Sequence, residues 1–114
     1  MRKLLFLALL VAGAGLMAVF STSAPSATKV NIGDNYFVRP SGVPKVTVSS
    51  GTRVRWVWTG ENPHNVKVKR GPVKFESPTK TSGRFSKVMR ERGRYTIICE
   101  VHGGKDQKMK LVVQ

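Results

Sequence analysis

The stretch Arg53-Val54-Arg55-Trp56-Val57-Trp58-Thr59 sets apolar Val54, Trp56 and Trp58 against polar Arg53, Arg55 and Thr59, with Val57 as the one exception. A period of two belongs to a strand with one buried and one wet face, because successive side chains leave a strand on opposite sides. The same rhythm continues outward in both directions. Val46 and Val48 alternate with Lys45, Thr47 and Ser49, and Val66 and Val68 alternate with Lys67 and Lys69. Phe85 and Met89 share a face across Lys87, Tyr95, Ile97 and Cys99 share one after Gly93, and Met109, Leu111 and Val113 share one against Lys108 and Lys110. Gly51, Gly71, Gly83 and Gly93 punctuate the runs, and residues 70–82, rich in Pro, Thr, Lys and Ser, read as the longest loop. Short strands about 8 to 12 residues apart, with turn residues between them and no sustained helical period, predict an all-β chain: a two-sheet β-sandwich with Greek-key connections.

Ahead of these strands Arg2 and Lys3 precede an apolar run from Leu4 to Phe20 and small residues from Ser21 to Ala24. That is the order of a secretory signal. The run is shorter than the roughly 20 residues of a spanning helix, so residues 1–24 are expected to be removed on export, with retention as an anchor as the alternative. The mature protein is then expected in the periplasm, at the cell surface or in the medium. Residues 25–28 read as a short tether, and residues 29–114 are enough for one small core and too few for two. With a single cysteine, Cys99, no intramolecular disulfide can form. A free thiol outside the cytosol is open to oxidation, so this lone cysteine calls for a partner that a metal would supply.

Twenty Lys and Arg against six Asp and Glu give a net charge of +14, and loss of Arg2 and Lys3 with the leader leaves +12. Such a field favours anionic partners: a protein with an acidic docking surface, or an anionic membrane or cell-wall surface. Nucleic acid is the usual reading of so basic a small protein, but export removes the chain from it. A monomer is expected.

The imidazole and thiol ligands of the chain fall in two clusters, Asn62-Pro63-His64-Asn65 and Cys99-Glu100-Val101-His102. Cys99 ends a strand and His102 follows three residues on, so a tight turn can aim both at one point, while His64 at the start of another strand offers a second imidazole. Two imidazoles and a thiolate in a trigonal plane with a weak fourth ligand suit electron-transfer copper. Structural zinc usually takes four firm ligands, and a fourth Cys or His does not exist here. Nothing has the pattern of a Ser-His-Asp triad, a phosphate loop or a dinucleotide fingerprint. With both histidines committed, no second copper centre can be built, so no enzyme is expected.

These clusters carry a family resemblance. Gly51-Thr52-Arg53-Val54-Arg55-Trp56 followed by Asn62-Pro63-His64-Asn65-Val66, then Gly93 to His102 and the closing Leu111-Val112-Val113, resembles the cupredoxins, the blue copper proteins of the plastocyanin, pseudoazurin and halocyanin type. The resemblance covers most of residues 29–114 and implies one copper ion held by His64, Cys99 and His102. It also implies a one-electron carrier, with copper delivery or storage outside the cytosol as the alternative. The family commonly adds an axial methionine a few residues after the second histidine. Counting back from Leu111 aligns that position with Gln107, whose amide oxygen can serve instead, and Met109 on the same strand face is the competitor. The resemblance further implies that Asn65 orients the cysteine loop, that His102 is the port through which electrons cross, and that an axial oxygen lowers the reduction potential.

Overall fold

A computed structural model describes residues 27–114, so the expected signal, residues 1–24, lies outside the described residues. Among the described residues, eight strands form two four-stranded sheets. The first sheet runs in the order β2 (Tyr36–Phe37), β1 (Ala27–Gly33), β4 (Thr52–Trp58), β6 (Arg84–Met89). The second runs β3 (Lys45–Val48), β8 (Lys108–Val113), β7 (Gly93–Ile98), β5 (Lys67–Arg70). The two-sheet all-β architecture is as the alternation requires.

Each sheet is mixed. β1 runs parallel to β4 with Val30 opposite Trp56, and β3 runs parallel to β8 with Val46 opposite Leu111, while the remaining pairings are antiparallel. Parallel neighbours cannot be joined by a tight hairpin, so the chain crosses between sheets, and this crossing brings the loops after β4 and after β7 to one end. β1 starts at Ala27, where Ala27 pairs Arg53 and Thr28 pairs Val54. Two residues of the expected tether are therefore strand.

The inward faces share one core. Val30, Ile32, Val54, Trp56, Trp58 and Met89 from the first sheet meet Val48, Val68, Tyr95, Ile97, Met109, Leu111 and Val113 from the second, all buried. Val57, the exception to the alternation, points outward and is half-buried. Arg70 ends β5, and residues 71–82 are a loop tied back along its length: Phe75 O accepts from Val68 N at 3.0 Å, Ser77 N donates to Val66 O at 2.8 Å, and His64 and Lys80 exchange both backbone hydrogen bonds. A single helical turn, α1 (Gly103–Asp106), is too short to show a period in sequence. Among the described residues no helix is long and apolar enough to cross a membrane.

Tyr95 is 1% exposed, and its hydroxyl donates to Glu91 O at 2.8 Å, fastening the turn ahead of β7. Burial first, and the nearby Glu91 carboxylate second, push its phenol above the ordinary value of 10.0. The folded protein thus holds this proton more tightly than the unfolded chain does. Stability is lost as pH rises from about 10 through the folded value. Tyr95→Phe should cost about 1 kcal/mol at neutral pH and should lose less stability than the parent on going to alkaline pH. Urea unfolding at both pH values checks this, and parallel losses in the two proteins would refute it.

Candidate metal centre

Strand parity sets the first ligand. Tyr95 and Ile97 point inward along β7, and Cys99, one step beyond its end, continues on the same side and is fully buried. The turn that follows is closed by Cys99 N donating to Gln107 O at 3.1 Å. Gly103, at φ +76°, takes a left-handed conformation that side chains resist, and α1 then returns the chain into β8. Between those points His102 is half-buried, and Val101 beside it is 51% exposed.

His64 comes from the other loop and is 0% exposed. Its backbone is fixed by the exchange with Lys80 and by the indole N–H of Trp58, which donates to His64 O at 3.1 Å. Its ring is fixed by Asp34, in the turn between β1 and β2, with Nε2 3.0 Å from Asp34 Oδ1. The backbone N–H of Asn62, then the His64 ring, hold the Asp34 carboxyl below the usual carboxylate value.

The structure brings His64, Cys99 and His102 together. Cys99 Sγ lies 3.8 Å from His64 Nδ1 and 3.5 Å from His102 Nδ1, and the two Nδ1 atoms are 3.2 Å apart. A triangle with these edges has an interior point about 2.0 Å from every corner, close to ordinary metal–imidazole and only slightly shorter than metal–thiolate bond lengths. No other group of three His, Cys, Asp or Glu with this spacing occurs among the described residues.

Gln107 and Met109 are both fully buried. The Gln107 amide nitrogen donates to Gly33 O and Tyr36 O, each at 3.0 Å, while its Oε1 is buried without a hydrogen-bond partner. Two carbonyl acceptors fix which end of the amide is NH2, and a buried amide oxygen left without a partner costs free energy unless something binds it. Met109 lies in β8 opposite Ile97, within the core.

Asn65, 2% exposed, joins the two ligand loops: its Oδ1 accepts from Glu100 N at 2.7 Å and its Nδ2 donates to Glu100 Oε2 at 3.4 Å. Lys67 completes the link with its Nζ 2.8 Å from Glu100 Oε1, which holds the Glu100 carboxyl below, and the Lys67 ammonium above, their usual values. Sequence reading missed Asp34. In Gly33-Asp34-Asn35 an aspartate reads as an ordinary turn former, and nothing local ties it to a histidine 30 residues away.

The sequence profile of the copper-binding plastocyanin/azurin family matches residues 26–114. Solved structures agree. A glutamine-for-methionine variant of amicyanin in its Cu(I) form superposes with a TM-score of 0.65 at 26% identity, over 78% of this chain and 83% of that one. An oxidised proline-to-glycine amicyanin variant gives 0.63 at 26% identity over 82% and 88%. A reduced tryptophan-to-tyrosine variant gives 0.65 at 23% identity over 85% and 89%, a likeness of fold. A triangle of buried His64 and Cys99 with half-buried His102 on this sandwich defines a cupredoxin. The chain belongs to the plastocyanin/azurin family of copper-binding proteins, and copper is the metal its donor set fits.

Asn65→Ala leaves the Glu100 backbone N–H without its acceptor and should cost about 1–2 kcal/mol of stability in the metal-free protein. An unchanged urea midpoint would show that this bridge does not hold the two loops together.

Proposed function

We propose that the protein is an exported one-electron carrier in which His64, Cys99 and His102 hold copper and the Gln107 oxygen is the weak axial donor. The triangle of donors carries this reading, and a buried Gln107 Oε1 that has no hydrogen-bond partner supports the axial assignment. A bound copper ion supplies the Cu(II)/Cu(I) couple.

The protein's part is to keep the donors still. Full burial of His64, Cys99 and Gln107 excludes bulk water, and backbone hydrogen bonds fix both ligand loops, so little needs to move when charge changes. Cys99 links the centre covalently to β7. His102 alone of the three has solvent access, and with exposed Val101 it forms the edge where a partner can approach. The charge of +14, or +12 without residues 1–24, suits a partner with an acidic docking surface. Both histidines of the chain belong to the one centre, which supports reading it as a carrier.

Copper reconstitution tests this. The native protein should show an intense thiolate-to-copper visible absorption and a reversible one-electron couple, and Cys99→Ser should lose both. A colourless protein that retains Cu(I) would instead support copper delivery or storage. Gln107→Met replaces an oxygen donor with a softer sulfur and should raise the reduction potential by about 60 mV or more, a tenfold change in the Cu(II):Cu(I) affinity ratio. Met109→Ala should cost about 2–5 kcal/mol of stability with little spectral change. If Met109→Ala moves the spectrum and Gln107→Ala does not, the axial assignment is wrong.

A further inference from the structure

Asp34 Oδ1 is a single atom with three donors around it. It accepts from Glu61 N at 2.9 Å, from Asn62 N at 2.9 Å and from His64 Nε2 at 3.0 Å. The loop that supplies the two backbone donors is pinned to β1, the strand that leads into Asp34, because Thr59 N and Thr59 Oγ1 both donate to Ile32 O, at 2.9 and 3.0 Å. Gly60 completes the cradle. A Cβ there would stand 2.2 Å from Asp34 Oδ1 and 2.6 Å from its Cγ, so any larger residue would push the carboxylate away.

A neutral imidazole carries one proton, and a carboxylate can only accept. The Asp34 contact therefore places the proton on His64 Nε2 and leaves a lone pair on Nδ1, the atom that faces Cys99 Sγ and His102 Nδ1. A carboxylate behind a metal-binding imidazole also raises the basicity of the ring. We propose that Asp34 is a positioning residue for the metal centre, setting the tautomer and orientation of His64 and supplying negative charge that favours the higher oxidation state of bound copper. The tautomer needs no metal; the charge effect rests on the electron-carrier reading above.

The test uses the full domain in two states. In the metal-free protein at alkaline pH, 15N NMR should find the proton of the neutral His64 ring on Nε2. Asp34→Ala and Gly60→Ala should shift it toward a mixture of tautomers. A native ring with its proton on Nδ1, or shared equally, overturns the proposal. Asp34→Ala should also weaken Zn(II), a redox-inert probe, by about 10- to 100-fold.

Asp34→Asn separates charge from scaffolding, since its amide oxygen can accept the same three hydrogen bonds. With copper bound it should lower the Cu(II):Cu(I) affinity ratio about tenfold, a rise of about 59 mV for one electron, while the unfolding midpoint stays near the parent's. An unchanged potential overturns the charge effect and leaves Asp34 only the placement of the His64 ring, which the tautomer measurement decides. A native protein that binds Zn(II) but shows no copper couple would overturn the electron-carrier reading instead, and the ring tautomer and Zn(II) affinity would still decide the role of Asp34.

Discussion

Holding three electron-pair donors 3.2 to 3.8 Å apart in a buried pocket is unfavourable for a metal-free chain, and the rest of this structure serves to maintain that crowding. The lone pairs of two imidazoles and a sulfur repel one another unless protons or a metal lie between them. A flexible loop would relax by swinging one ligand out to water. Here neither loop is free to do so. His64 is bound through its backbone to Lys80 and Trp58, Cys99 through its N–H to Gln107 O, and the two loops to each other through Asn65 and Glu100. The stability of the sandwich core is thereby coupled to the geometry of the site. An ion entering such a site meets donors already gathered, so little ordering entropy is left to lose on binding.

The strands were legible because burial on one face imposes a period that a single sequence displays. Trp56 and Trp58, Tyr95 and Ile97, and Met109 and Leu111 all fall on the core side that alternation assigned them. His64, Cys99 and His102 were legible for a different reason: the chain has few such ligands, and they occur where strands end. What stayed hidden depends on contacts between distant residues. The parallel partnership of β1 with β4 leaves no local mark, and it draws Ala27 and Thr28 into the sheet. The back-tied loop at Ser77 and Lys80 looks irregular in sequence because its hydrogen bonds go to Val66 and His64. Asp34 is hidden in the same way, as an ordinary turn residue made functional by a loop that begins about 25 positions later.

Charge is distributed on two length scales. Asp34, Glu61 and Glu100 lie in the loops that carry or border the ligands, with Lys67 paired to Glu100, and Lys105 and Asp106 close α1, whereas the outward side of the first sheet presents Lys29, Arg53, Arg55 and Arg84 with no acidic residue on β1, β4 or β6. At physiological ionic strength a charge is felt over about 8 Å. The carboxylate of Asp34, one imidazole ring from the donors, is therefore well placed to act on the centre itself. The scattered cations act outward. On the function proposed above, the chain's positive charge would favour an anionic partner, while Asp34 and Glu61 put negative charge beside the His64 loop. On that reading the group that tunes the redox balance and the groups that govern encounter are different residues, so a substitution at one need not disturb the other.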